Sequence, residues 1–258
     1  MNAALREVLT PARRPCGSLS VRVMGELCVL RCSGALWLPA YGTLVAGDLH
    51  LEKGSAYAAR GQMLPPYDSR VTLDRLEAEI AALKPERVVL LGDSFHDSGS
   101  IARMAGDDRA RLDRLAEEGR DWVWLEGNHD REALGAGRTA APTFSSGDFE
   151  RLVGLPGRVV PELTLGALHL THEPESDPRP GEVAGHLHPC ARVVAHARMV
   201  RRACFVTDGR RLILPAFGAF TGGLNVLDPA LAGLFDSRPM VAALGRDRVH
   251  ALAWDSLV

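Results

Sequence analysis

TLVAGDLH, residues 43–50, decides the fold: an uncharged, largely apolar run passes through Gly47 and stops abruptly at Asp48 and His50. Continuous apolar patterning suits a strand covered on both faces, so the polar pair is delivered at the tip of a buried strand. The same device returns in RVVLLGD, residues 87–93, which ends at Asp93. It returns again in DWVWLEGNHD, residues 121–130, which ends at Asn128, His129 and Asp130. Between these strands lie two stretches of helical spacing. Ser69 to Leu83 sets Leu73, Leu76, Ile80 and Leu83 on one face, with Asp68 and Ser69 available as caps and Pro85 just beyond its end. Asp107 to Glu118 points Leu112 and Leu115 inward. Strands alternating with helices predict an α/β unit, and the crevice beyond the carboxyl ends of such strands is where ligands bind.

The remainder of the chain is read outward from this unit. Upstream, Glu26 to Cys32 and Ala35 to Leu38 are short apolar segments, and residues 1–17, interrupted by prolines and arginines, predict a poorly ordered arm. Downstream, Arg158 to His172, Ala191 to Leu214 and Gly223 to Leu227 are β-rich, with a hairpin turn at Asp208-Gly209, and the tail VHALAW alternates as a last strand. Helix signals nearly vanish there. The expectation is a four-layer αββα sandwich of two mixed sheets flanked by helices, forming one domain over residues 18–258 with no large cap domain.

Composition narrows the class. At 258 residues and 46% hydrophobic, the chain can bury a real core, and a formal net charge of −2 speaks against a polybasic nucleic-acid coat. The five cysteines, Cys16, Cys28, Cys32, Cys190 and Cys204, are odd in number and contain no CxxC pair, so neither a disulfide framework nor a thiolate zinc site is favoured. Cys28 and Cys32 read as core. No run approaches membrane-spanning length, and the first residues lack the unbroken apolar region of a signal peptide, which makes the cytoplasm the expected location.

Five separated clusters hold side chains able to bind metal: Asp48 with His50; Asp93 with His96 and Asp97; Asn128, His129 and Asp130; His172; and His186 with His188. Carboxylate, imidazole and amide oxygens together suit manganese, iron or zinc at an open site. Each cluster alone has an ordinary explanation. A single histidine such as His172 is usually a hydrogen-bonded residue, with His169 a rival in the same segment, while GHLHP and GNHD are also common turn compositions. Glu52, Asp97 and Glu173 read as solvated or supporting groups. The arginines Arg198, Arg201, Arg202, Arg210 and Arg211 crowd one hairpin, where contact with phosphate competes with the commoner reading of a solvated face.

In order, GDLH, GDSFHD, GNHD, THE and GHLHP resemble the motif series of calcineurin-like metallophosphoesterases, over roughly residues 44–190. More narrowly, DLHLEKGSAYAARGQMLPPYDS and LPAFGAFTGG are similar to the bacterial DNA ligase-associated metallophosphoesterases, a group linked to DNA repair. The resemblance implies that Asp48, His50 and His188 ligate one divalent metal and that Asn128, His172 and His186 ligate a second. Asp93 would bridge them. Manganese is the expected ion at both, with iron or zinc as alternatives. It further implies His129 as proton donor to the leaving oxygen, Asp130 holding its tautomer, and His96 in contact with substrate or with the ligands. The implied function is a two-metal phosphodiesterase or nuclease acting on DNA, with a DNA ligase and a helicase as associated proteins. A hydrolase of small nucleotides or phosphomonoesters, and a non-catalytic protein-binding scaffold of the same fold, are the competing readings. The loop from Ser55 to Tyr67 and the PAFGAFTGG segment are expected to rim an open crevice.

Overall fold

The computed structural model describes residues 11–128, 130, 154–177, 179–195 and 198–258. Two eight-stranded sheets carry it. The first runs in chain order through β1 (Ala12–Arg13), β2 (Leu19–Val23), β3 (Glu26–Leu30), β4 (Leu36–Leu38), β5 (Thr43–Ala46), β6 (Arg87–Leu90), β7 (Asp121–Leu125) and β8 (Arg158–Val160). Its first five strands form an antiparallel meander, and β5 to β8 are parallel. The second contains β9 (Leu163–Leu165), β10 (Leu168–Leu170), β11 (Glu182–Ala184), β12 (Cys190–Ala195), β13 (Arg198–Thr207), β14 (Arg211–Ile213), β15 (Met240–Leu244) and β16 (Val249–Leu252). In it β10, β11 and β14 are parallel neighbours, and β12 lies off the main path, paired with β13.

Registered rows of side chains explain the layers. Val45, Val89 and Val123 are cross-strand partners and face the second sheet, joining a core with Leu170, Val183, Phe205 and Leu212. Their neighbours one residue away, Leu44, Val88 and Trp122 and then Ala46, Leu90 and Trp124, face the opposite way. The pleat's period of two makes this division unavoidable once the strands pair. That outer face is covered by α1 (Lys53–Ala59), α2 (Asp68–Leu83), α3 (Ser100–Arg103) and α4 (Gly106–Glu117), with Leu73, Leu76, Ile80, Leu112 and Leu115 turned onto the strands. The fold is therefore the two-sheet sandwich the sequence predicts. Its fourth layer is slender: α5 (Pro229–Ala232), the hairpin β12–β13 and the chain end cover the far face of the second sheet. No described helix is long and apolar enough to cross a membrane.

Several local expectations are corrected. Within the stretch expected as an arm over residues 1–17, Ala12–Arg13 pair with Leu19–Ser20 and Arg14 donates from Nε to Ser20 Oγ at 2.6 Å. Residues 1–10 lie outside the described residues. Gly223–Leu227 is not a strand; a single bridge joins Asn225 to Cys190. Asp68 and Ser69 do not cap α2 with their side chains. Asp68 instead accepts the N–H of Gly54 at 3.0 Å, and Ser69 Oγ accepts the N–H of Glu52 at 2.8 Å, so both tie the first helical turns to the loop after His50.

Candidate metal centre

Every ligand proposed from the sequence and described here stands just beyond the carboxyl end of a strand. Asp48 follows β5, Asp93 follows β6, Asn128 follows β7, His172 follows β10 and His186 follows β11. The two sheets approach each other at this edge, and the N–H of His186 donates to both oxygens of Asp48, at 3.1 and 3.0 Å. A Cβ on Gly185 would sit 2.4 Å from Asp48 Oδ2, so this glycine permits the approach, and one on Gly127 only 2.1 Å from the amide nitrogen of Asp93, so Gly127 lets the loops after β6 and β7 close on each other. The backbone bends sharply as well. Asp48, His50, Asp93, His186 and His188 all take positive φ, between 44° and 66°. Non-glycine residues in this region are strained, and such strain persists where surrounding structure imposes it.

Two triads result. Asp48, His50 and His188 form one, and Asp93, His172 and His186 the other, with the ligand atoms of each within 4.8 Å of one another. His188 Nε2 lies 3.2 Å from Asp48 Oδ1 and 3.3 Å from His50 Nε2. In the second triad His186 Nδ1 is 3.3 Å from His172 Nε2, which also faces Asn128 Oδ1 at 2.9 Å. Asp93 stands between them: its Oδ2 is 3.9 Å from His50 Nε2 and its Oδ1 is 3.4 Å from His172 Nε2.

The donor chemistry fits divalent cations. His172 Nδ1 lies 2.9 Å from the Leu91 carbonyl, so that nitrogen donates and Nε2 is left facing the cluster, as a metal-binding histidine is oriented. Electrostatics agree. Burial works against a charged His172, yet the Asp93 and Asp48 carboxylates outweigh it and raise its pKa to about 9. Asp130 is pushed up to about 7, first by burial and then by the nearby Asp93 charge. Several buried carboxylates at one point demand positive charge, and cations supply it more fully than protons.

The other sequence candidates separate. Asp130 accepts the N–H groups of Gly127 at 3.1 Å and of Ser94 and Phe95 at 3.4 Å each, which ties the Asp93 loop to the Asn128 loop. The expected hold on the tautomer of His129 falls, with His129 itself, outside the described residues. His96 is beside the triads and in neither: its ring centroid is 5.9 Å from that of His50 and 5.9 Å from that of Tyr57. Asp97 pairs with Arg103 at 2.5 Å, and Glu52 is buried and accepts from Ser69 Oγ at 2.7 Å. Glu173 stays exposed, 3.9 Å from His186 Nε2. The rival His169 faces Thr164 and Arg179, at 3.1 and 2.8 Å, outside both triads. Arg211 departs from the arginine cluster entirely, being 1% exposed and paired with Glu182. Sequence reading did not single out Tyr57, whose placement against His96 depends on the turn that α1 takes after the first loop.

A family model described as calcineurin-like phosphoesterase matches residues 42–190. Among solved structures, the nuclease MPE of Pseudomonas putida is 28% identical, the match covering 91% of this chain and 100% of that one at a TM-score of 0.64. The phosphoesterase YfcE of E. coli is 16% identical over 82% of this chain and 98% of its own, at a TM-score of 0.38. No curated protein sequence matches.

Proposed function

This chain belongs to the calcineurin-like phosphoesterase family, and from that membership we propose that it is a two-metal phosphodiesterase that cleaves nucleic-acid phosphodiesters. The observation that carries the proposal is the position of Asp93, with one carboxylate oxygen toward each triad. Asp48, His50 and His188 would hold one cation, and Asn128, His172 and His186 the other, with Asp93 within reach of both. Two divalent cations, when bound, supply a water of lowered pKa and neutralise charge on the attacked phosphate. The chain's own groups do the rest. Leu91 O fixes His172 so that Nε2 faces inward, and Asp130 ties the Asp93 loop, through the amides of Ser94 and Phe95, to the Asn128 loop, through that of Gly127. His129 protonates the leaving oxygen, and His96 with Tyr57 borders the substrate. Manganese is the proposed ion, since this oxygen- and nitrogen-rich donor set includes no thiolate.

The similarity to a nuclease over nearly the whole chain supports a nucleic-acid substrate. Processing of damaged DNA, beside a ligase and a helicase, is the setting that the sequence resemblance suggests. The test compares a chromogenic phosphodiester with its monoester, and then single-stranded DNA, using chelated protein with and without manganese. Diester and DNA cleavage restored by manganese is expected. Faster monoester than diester hydrolysis would move the substrate to the small phosphomonoesters, and folded, metal-loaded protein that cleaves none of the three would leave only a scaffold role.

A further inference from the structure

Beyond the ligands, two features adjoin the segments that carry the metal triads. Directly after His188, β12 leaves as half of a hairpin in which Arg192 stands opposite Arg201. Both are exposed, and neither has an acidic partner among the described residues. Two like charges directly opposite on neighbouring strands destabilise the pair unless an anion lies between them. The pair is also joined to the site. Arg201 Nη2 donates to the Gly223 carbonyl at 2.6 Å, and a Cβ on Gly223 would lie 2.2 Å from the His188 carbonyl oxygen. A guanidinium has five N–H donors, so this bond orients the fork and leaves donors free.

The second feature is Phe220, three residues before Gly223. It is 51% exposed and sits at φ 58°, a conformation that a bulky side chain adopts only under constraint. The constraint is visible. Phe217 N–H donates to Gly47 O at 2.9 Å, Gly218 N–H to Asp48 O at 3.1 Å, and Ala219 N–H to Thr72 Oγ1 at 2.9 Å. The loop is thus clamped to the backbone of a metal-triad residue and holds an aromatic ring out in solvent at strain.

We propose that Phe220 and the Arg192–Arg201 pair form the substrate track of this enzyme, Phe220 stacking on a base and the arginines holding phosphates of a single nucleic-acid strand that crosses the metals. The inference rests on the phosphodiesterase reading and adds a surface to it. A single strand fits because its bases are free to stack, and stacking platforms combined with basic grooves bind such strands with little sequence preference. A duplex hides its bases and would leave Phe220 unused.

The experiment uses the full-length manganese-loaded chain and follows kcat/KM on a short single-stranded thymidine oligonucleotide beside a chromogenic phosphodiester too small to reach the track. Phe220→Gly and the double variant Arg192→Ala/Arg201→Ala are each expected to lose about five- to hundredfold more on the oligonucleotide than on the small diester, the range that loss of one stacked base gives. Phe220→Trp retains the aromatic face and should restore the oligonucleotide rate. Phe220→Gly should also keep or raise Tm, because it relieves the backbone, and a purely structural residue would do the opposite. For the double arginine variant, the slope of log kcat/KM against log salt should become shallower by about 1.4, from two lost phosphate contacts on a single strand at about 0.7 each. Parallel losses on both substrates, or no loss on the oligonucleotide, overturn the track. Wild type that cleaves the small diester and leaves the oligonucleotide intact also overturns it while sparing the metal centre, whereas wild type that cleaves neither removes the phosphodiesterase reading and the track with it.

Discussion

The two ends of strands β11 and β14 carry buried charge and handle it in opposite ways. At their amino ends Glu182 and Arg211 are direct cross-strand partners. Arg211 Nε meets Glu182 Oε2 at 2.5 Å, and the same guanidinium donates to the carbonyls of Leu234 and Glu175, at 2.8 and 2.5 Å. The N–H of Glu175 satisfies the other Glu182 oxygen at 2.8 Å. That end is electrically closed. At the carboxyl ends, β11 leads to His186 and β14 leads to the loop whose Gly218 binds Asp48 O. There Asp48, Asp93 and Asp130 are buried together, and histidines stand opposite Asp48 and Asp93. A closed pair serves the fold, because it needs nothing further. An open cluster of buried acids and imidazoles serves a ligand, because only cations complete it.

The largest effect that would sharpen this contrast is chemical. Asp93→Asn keeps the shape and removes the shared charge, so it should lower diester turnover by at least about a thousandfold, in line with the several kcal/mol that metals contribute to such transition states. Metal content, measured on the purified protein, should fall with it, and activity that survives at full metal content would break the assignment of Asp93. The closed end should respond in the other currency. Arg211→Met leaves Glu182 buried and unpaired, which typically costs about 3–5 kcal/mol, while turnover per folded molecule stays near wild type. Its pH dependence has a definite sign. Burial already raises the pKa of Glu182 above its ordinary 4.5, and losing Arg211 raises it further. The folded state then holds the proton more tightly than the unfolded chain, so the variant should be most stable below that ordinary value and lose stability as pH rises through the raised one. A denaturation series from acid to neutral pH reads this directly, and a flat profile would mean that Glu182 has found water or another donor.

Much of the open end is legible in the sequence, and little of the closed end. Asp48, Asp93 and Asn128 are marked because each terminates an apolar run, a contrast that survives without knowledge of any contact. His172, His186 and His188 are marked by the motifs in which they sit. Arg211 is invisible in this way: within a run of arginines its charge reads as solvated, and its partner lies in another strand whose register only the folded sheet specifies. Asp130 is legible as a polar tip but not as a support, because the amides it binds at Ser94 and Phe95 belong to the neighbouring strand's loop. The caps at Asp68 and Ser69 fail for the same reason, since both side chains turn to the first loop in preference to their own helix. Periodicity reports which face is buried and is silent about which polar group a buried one meets.

Chelation distinguishes the two ends by a smaller amount. Ions that bind only the folded chain stabilise it by about 3–4 kcal/mol when present at roughly 100 to 1,000 times their dissociation constant. Wild type should therefore lose Tm on chelation, and Arg211→Met, starting lower, should lose a similar increment. Asp93→Asn should lose much less. An equal shift in all three proteins would place the stabilising ion somewhere other than between the two triads.

The smallest effect is expected where charge is neither buried nor open. On the outer helices Glu77 meets both Arg111 and Arg114, a network at the solvent edge of α2 and α4. Arg111 and Arg114 already hold Glu77 below the usual glutamate range, Arg111 more strongly. Exposed pairs are nonetheless screened and lose side-chain freedom when they form, and most measure below about 1 kcal/mol. Glu77→Ala should accordingly shift urea denaturation by no more than this, with turnover and metal content unchanged. High salt should erase even that difference, because screening acts on exposed charges and spares buried ones. A loss comparable with that of Arg211→Met, persisting in salt, would show that the helical layer depends on its surface charges, and burial would no longer be what separates the pairs that matter from those that do not.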